Sequence, residues 1–143
     1  MEKLRQIKRI CFNYDKVIFL ACNDLEQELN ILNACEVEAT GVDYDPKFKD
    51  KPNYINKDFV FDDVELEADL IVHMNVEKTY PVKLTGDVIL RGDNEGHNGD
   101  CTIVSSCEQL IKMYNIEEVY STRETDTHYF VYGRAACSYL TTS

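Results

Sequence analysis

The stretch KVIFLACNDLEQELN, residues 16–30, decides the fold of this chain. It runs from a continuous apolar segment through a turn of small and polar residues into leucines at helical spacing. This order is typical of a β-turn-α unit at a nucleotide-like ligand, where the turn is normally rich in glycine. Here the turn has no glycine. It therefore has to form without the residue that best tolerates positive φ.

Length and cysteine spacing predict one reduced, cytoplasmic domain. A chain of 143 residues can bury a core of its own, and we expect one domain with an N-terminal helix over 1–14, a core over 15–135 and a tail over 136–143. We expect neither a secretory signal nor a membrane span, because no apolar segment is long enough. The six dispersed cysteines favour reduced core thiols.

A zinc site can be drawn from His97, Cys101 and Cys107. The spacing of these residues does not match a standard zinc motif. We therefore expect no metal site.

The net charge of −11 restricts the classes of partner. Nucleic-acid binding depends on Lys and Arg contacts to phosphates, so direct binding of DNA or RNA is disfavoured. The basic residues of the first helix are typical of a solvated face; they are Lys3, Arg5, Lys8 and Arg9. An acidic surface would instead suit a basic protein partner, although excess acid also serves solubility.

Apolar runs alternate with helical patterns along the chain, which predicts an α/β sheet with right-handed crossovers. Helices are expected in the N-terminal segment, where Leu4, Ile7 and Cys11 share a stripe, and in two later segments. Asp24 with Gln27 would begin the second helix, and Ser105 or Ser106 the third. Strands are expected within 16–22, 36–46, 54–61, 68–75, 87–92, 117–125 and 127–135, the last two forming an antiparallel hairpin.

With this order of elements, the chain resembles class I S-adenosylmethionine-dependent methyltransferases over about residues 15–135. Three segments show the resemblance: FLACND (19–24) at the family's glycine-rich turn, GVDYDP (41–46) after the second strand, and ADLIVHMN with VEKTYP (68–81) at the fourth strand and catalytic loop. The resemblance implies a Rossmann-like, mostly parallel seven-stranded sheet ending in an antiparallel hairpin, with helices on both faces. The compact format is also similar to methyltransferase-like proteins of tailed phages, which would place it in the host cytoplasm.

The resemblance implies S-adenosylmethionine as cofactor at the carboxyl ends of the strands. Asp43 would receive the ribose hydroxyls, or it makes only a turn with the residues after it. Tyr44 would lie against the adenine, or it is a surface aromatic. Asp58 matches the contact to the adenine amino group, and its neighbour Phe59 is either part of this contact or a core residue.

The first turn departs from the family's pattern. Ala21, Asn23 and Leu25 stand where glycines are expected, and Phe19 stands where the family has an acid. Asn tolerates the left-handed region and Ala adds only one methyl group, so the turn is expected to form. The missing acid removes an anchor for the amino end of the cofactor. Asp24 is expected to cap the helix rather than to replace that acid.

Two loops at the same edge contain groups that could assist methyl transfer. One loop supplies Asn75, Glu77 and Tyr80, and Asn75 would also contact the cofactor. In the other loop we expect His97 to be the base, because imidazole titrates near neutrality, although a lone loop histidine is often incidental. His73 lies in a predicted core strand and is expected to be structural.

The sequence thus predicts a methyltransferase-like protein that acts on a small molecule or a protein. One alternative is a catalytically inactive methyltransferase-fold protein that binds a basic protein partner. Another is an enzyme that cleaves S-adenosylmethionine.

Overall fold

The computed structural model describes residues 2–62, 64, 66–76, 82–93 and 106–136 of the chain. The helices are α1 (Glu2–Cys11), α2 (Glu26–Ala34) and α3 (Cys107–Met113), with a 3-10 turn at Pro46–Phe48. The strands are β1 (Lys16–Leu20), β2 (Glu38–Val42), β3 (Tyr54–Ile55), β4 (Leu70–His73), β5 (Gly86–Asp93), β6 (Ile116–Glu124) and β7 (His128–Ala135). Residues 137–143 of the expected tail lie outside the described part.

The seven strands form one sheet in the order β3-β2-β1-β4-β5-β7-β6. Strands β1 to β5 pair in parallel, whereas β7 is antiparallel to both of its neighbours. The predicted mostly parallel sheet with a closing hairpin is therefore confirmed. The order reverses between β1 and β4, and in open α/β sheets this switch point is where ligands bind, outside the carboxyl ends of the strands.

Strand β1 is buried on both faces, as its continuous apolarity predicts. Val17 and Phe19 pack on the side of α1 and α2, whereas Ile18 and Leu20 pack on the side of α3. Each buried side chain of this size stabilises the fold by about 1.5–3 kcal/mol. The helices thus cover both faces, and the two cores fix the carboxyl ends of the central strands.

The structure corrects the boundaries of two elements and confirms the start of a third. Strand β3 covers only Tyr54–Ile55, and the side-chain amide of Asn56, which follows it, donates to the carbonyls of Asp43 and Asp45. Helix α2 begins at Glu26 with Leu25 at its N-cap, one residue later than the expected capping box at Asp24. For α3 the expectation is met by Ser106, whose hydroxyl accepts a hydrogen bond from the N–H of Gln109 at 3.1 Å.

Strand β6 is the outer edge of the sheet and is largely exposed. Its pairing with β7 is irregular at two places, between Ile116 and Glu118 and between Val119 and Ser121. At Gly133 a Cβ atom would lie 2.4 Å from the backbone oxygen of Glu118. Glycine is therefore required where β7 meets the bulged edge strand.

No helix within the described ranges is long and apolar enough to cross a membrane. No group of three or more metal-ligating side chains occurs among the same residues. Of the zinc alternative, His97 and Cys101 lie outside the described residues, and Cys107 is a buried thiol at the start of α3.

Candidate functional site

The turn after β1 adopts a left-handed backbone without glycine. Ala21 and Asn23 both have φ of 51°. For a residue with a Cβ atom, this conformation costs about 1–2 kcal/mol relative to the right-handed region. Among residues with a Cβ atom, asparagine is one of those that adopt positive φ most readily, and alanine adds only one methyl group to the crowded side of the turn. The prediction that the turn can form is confirmed. Its strained backbone has to be stabilised by contacts with other segments of the chain.

Side chains from three other segments hold this turn in place. The Asn75 amide, just after β4, donates to the carbonyl of Ala21. The Asp43 carboxylate, just after β2, accepts from the N–H of Asn23 at 3.0 Å. The Tyr54 hydroxyl, from β3, donates to the carbonyl of Asn23 at 2.8 Å. The N–H and carbonyl of Asn23 and the carbonyl of Ala21 are thus bound to protein side chains.

Tyr54 also holds the start of helix α2. Its hydroxyl accepts a hydrogen bond at 2.7 Å from the N–H of Leu25, the N-cap residue, which is the donor that the reciprocal acceptor of a capping box would bind. The ring reaches this position by crossing Gly41, where a Cβ atom would lie 2.9 Å from Tyr54 Cε2. A glycine in β2 therefore makes room for the tyrosine that supports the turn.

Asp43 is buried, with 6% of its surface exposed. One carboxylate oxygen accepts from Asn23 N and the other accepts from Asp45 N at 3.0 Å. The turn after β2 is completed by Asn56, whose amide donates to the carbonyls of Asp43 and Asp45. Each oxygen of an ionised carboxylate has a second lone pair. Asp43 thus forms the turn and retains acceptor capacity for a further donor.

The predicted adenine-side residues differ in their environment. Tyr44 projects from the carboxyl edge, with 72% of its surface exposed. Asp58 begins a local turn in which its carboxylate accepts from the N–H of Val60 at 3.0 Å. Phe59 is half-buried and packs edge-on against His73, with ring centroids 5.4 Å apart. Tyr44 is thus open to a ligand, whereas Phe59 also belongs to the core.

His73, at the end of β4, is fully buried among aromatic rings. Burial lowers the pKa of His73 to about 3, so the imidazole is neutral at physiological pH. This agrees with the expected structural role. The Cys22 thiol inside the first turn is also neutral, because burial, reinforced by the Asp43 carboxylate, raises its pKa to about 12. Neither group is available as a nucleophile or a base.

The floor of the site below the first turn is apolar. Phe19 replaces the family's acid and is 1% exposed, packed in the core on the α1 and α2 side. Met74 and Val76 after β4 are buried as well. Transfer of a charged group to such surroundings is costly unless it is paired. The described part of this floor offers no acid to a ligand's ammonium group.

Arg91 was missed by the sequence analysis. It lies near the carboxyl end of β5, and its guanidinium Nη1 donates to the carbonyl of Met74 at 3.2 Å. The signal was present as a single charged residue in the otherwise apolar run VILRG. Tyr54 and Asn56 were also missed, because their partners are distant in sequence. Together these residues connect the ends of β2, β1, β4 and β5.

The residues expected to assist the chemistry, His97, Glu77 and Tyr80, lie outside the described residues, and their roles stay predictions. A shallow cavity of about 270 Å³ lies at the opposite edge of the sheet, between the start of β5 and the end of α3. It is lined in part by Lys83, Met113, Tyr114 and Asn115. It does not contact the turn after β1.

Comparison with solved structures identifies similar folds. The N-methyltransferase NodS from Bradyrhizobium japonicum WM9 superposes with a TM-score of 0.60 at 14% identity, covering 94% of this chain and 95% of that chain. NodS in complex with S-adenosyl-L-homocysteine gives a TM-score of 0.56 at 11% identity, covering 94% and 86%. No family model matches the sequence, and neither does any curated protein. The expected phage origin has no support here. The chain has the fold of S-adenosylmethionine-dependent methyltransferases.

Proposed function

We propose that this protein binds S-adenosylmethionine at the carboxyl ends of β1, β2 and β4 and transfers its methyl group to a small molecule or a protein. The observation that supports this most is the turn at Ala21 and Asn23. It keeps the left-handed backbone of a ligand-binding turn although the glycines are absent. Three side chains stabilise a conformation that costs free energy, and strained turns of this kind are concentrated at functional sites.

Asp43 is the proposed partner of the ribose. Its buried carboxylate has one lone pair left on each oxygen after binding Asn23 and Asp45, which matches a vicinal diol that donates two hydrogen bonds. Tyr44, exposed beside it, would stack on the adenine, and Asp58 with Phe59 would border the far side. Ala21, Asn23 and Asn75 would line the sulfur end.

The bound cofactor would supply an electrophilic methyl group. The protein's part is to align an acceptor with it and, where the acceptor loses a proton, to provide a base. His97, Glu77 and Tyr80 are proposed for this part because their loops follow β4 and β5 on the edge where the cofactor would lie.

Isothermal titration with S-adenosylhomocysteine tests the proposal. We expect micromolar binding by the wild type and loss of binding in Asp43→Ala. Asp43→Asn keeps the shape and one acceptor oxygen, so its affinity should fall less. The matched control is Asp69→Ala. Asp69 also accepts from a backbone N–H, that of Lys16 at 3.0 Å, but this contact lies at the amino-terminal ends of the strands. Thermal melts verify that each variant is folded.

Absence of heat with wild-type protein at millimolar ligand would overturn the proposal. Equal losses in Asp43→Ala and Asp69→Ala would show that Asp43 is not a specific contact. If binding is observed, analysis of the products separates methyl transfer from cleavage of the cofactor.

A further inference from the structure

Arg91 is a cation at the edge of the proposed site. It follows Ile89 by two residues in β5 and therefore lies on the face covered by α1 and α2, where Ile89 packs. The side chain is half-buried. Through Nη1 it reaches across to the carbonyl of Met74, the residue after β4. The guanidinium is thus located where β5 and β4 end.

The described residues give Arg91 no anionic partner. Their ion pairs involve Lys16, Lys51, Lys112 and Arg134, and none includes Arg91. The Nε atom is shielded from solvent and has no acceptor. A guanidinium has five N–H donors, and desolvating it without a carboxylate is unfavourable. In a chain with 26 acids and 15 basic residues, an arginine that has no carboxylate partner within the described ranges points to an anionic ligand.

A chain of hydrogen bonds connects Arg91 to the first turn. Met74, whose carbonyl binds the guanidinium, is followed by Asn75, whose amide binds Ala21. Met74 also donates its N–H to the carbonyl of Leu20 at 3.0 Å. Neighbouring strands are about 4.8 Å apart, and β5 is two strands from β1, so the backbone of Arg91 is roughly 10 Å from β1. Asp43, after β2, lies on the other side of β1. A ligand with its sugar at Asp43 would extend its other end toward Arg91.

We propose that Arg91 binds the α-carboxylate of the amino-acid end of the cofactor, an inference that rests on the proposed function. The floor at Phe19 is apolar and cannot pair with the ammonium group, so the charged end requires another anchor. Guanidinium and carboxylate form two parallel hydrogen bonds when they meet edge to edge. Because Nε is shielded from solvent, the edge left for a carboxylate is the Nη1–Nη2 end of the guanidinium, where Nη1 uses one of its two N–H groups on the carbonyl of Met74.

The test uses two ligands that differ by one carboxylate: S-adenosylhomocysteine and its decarboxylated analogue, which keeps the amine. We expect the wild type to prefer S-adenosylhomocysteine by about ten- to a hundredfold, the range of a hydrogen bond to a charged group. Arg91→Met should abolish this preference and leave the affinity for the analogue unchanged. Arg91→Lys should retain part of it, because a lysine keeps the charge but not the planar fork.

The matched control is Arg134→Met, because Arg134 pairs with Glu117 and Glu118 away from the site, and its preference should equal that of the wild type. A preference that persists in Arg91→Met, or that is absent from the wild type, would overturn the inference while binding still supports the proposed function. If Arg91→Met does not fold, the reduced preference of Arg91→Lys decides the question. Failure of both ligands to bind the wild type would instead refute the proposed function.

Discussion

The carboxylate of Asp43 accepts a hydrogen bond from the backbone N–H of Asn23 at 3.0 Å, and this contact joins the end of β2 to the turn after β1. The same carboxylate is the one proposed to receive a ribose. The stability of the turn and the proposed binding of the cofactor therefore depend on one side chain, and substitutions of Asp43 should be measured for both.

Replacing Ala21 by glycine should not destabilise the protein. At φ of 51°, glycine removes a steric cost that roughly offsets the extra entropy it gives the unfolded chain. We expect a change within about 0.5 kcal/mol, or a gain of up to about 1 kcal/mol, in urea unfolding. The control is Ala39→Gly in β2, which should lose about 1 kcal/mol. A loss at Ala21 as large as that at Ala39 would contradict the strain described here.

Removing the hydroxyl of Tyr54 should destabilise the fold. Tyr54→Phe leaves the N–H of Leu25 and the carbonyl of Asn23 without this partner, at a cost of about 1–3 kcal/mol. Tyr44→Phe, at an exposed position after β2, should stay within about 0.5 kcal/mol of the wild type. Urea unfolding followed by circular dichroism measures both variants, and equal stabilities would show that Tyr54 does not support the turn.

The buried His73 should make stability depend on pH. Burial lowers its pKa from 6.5 to about 3, so below about pH 6.5 the unfolded chain takes up a proton that the folded protein does not. Above about pH 6.5 both states carry a neutral imidazole, and His73 does not lower the free energy of unfolding. As the pH falls from there toward 3, that free energy decreases by about 1.4 kcal/mol per pH unit.

The variant His73→Leu tests this dependence. Its free energy of unfolding should fall less steeply than that of the wild type between about pH 6 and pH 4. His128→Gln changes a histidine at the hairpin that is not fully buried, and its slope should match the wild type. Parallel slopes for His73→Leu and the wild type would rule out the buried imidazole as their source.

Tyr14 should anchor the N-terminal helix to the sheet. Its hydroxyl donates to Asp87 in β5 at 2.6 Å and lies 2.6 Å from the hydroxyl of Tyr132 in β7. Burial and the hydrogen bond to Asp87 raise the pKa of Tyr14, so the donor proton is retained at alkaline pH. Tyr14→Phe should cost about 1 kcal/mol and speed tryptic cleavage after the basic residues of α1.

Tyr120→Phe is the matched control for this prediction. Tyr120 donates to the other oxygen of Asp87 at 2.9 Å but comes from the exposed edge strand β6. Removal of the Tyr120 hydroxyl should lower the free energy of unfolding less than Tyr14→Phe does, and it should leave the rate of tryptic cleavage in α1 unchanged. If the two variants behave alike, Tyr14 is not a specific anchor of the helix.

Most of the sheet could be predicted from local patterns. The runs at β1, β4 and β5 are apolar because both faces of those strands are covered, so their composition alone identifies them. The left-handed turn was also predictable, because Ala21 and Asn23 are the residue types that bear positive φ at least cost. The resemblance implied a mostly parallel seven-stranded sheet that ends in an antiparallel hairpin, and the structure confirms this architecture.

The contacts that hold the site together could not be predicted in this way. Tyr54 is an ordinary strand aromatic in the sequence, and its partner Asn23 is 31 positions away. The start of α2 was misplaced by one residue: Leu25 is the N-cap, its N–H is bound by the Tyr54 hydroxyl, and the Asp24 carboxylate accepts from the N–H of Glu26 at 3.3 Å. For Arg91 the sequence gives only a single charge in an apolar run, and its partner, a backbone carbonyl, cannot be identified from residue types.

The side-chain supports of the first turn also bear on how the protein folds. They span 20, 31 and 54 positions of the chain, from Asp43, Tyr54 and Asn75 respectively, whereas a glycine turn needs only its own residues. The chain has to lose the conformational entropy of closing these long loops before the three contacts can form and stabilise the turn. The turn after β1 should therefore form late in refolding, after the central strands have paired, and a nascent chain shorter than about 75 residues cannot yet assemble it.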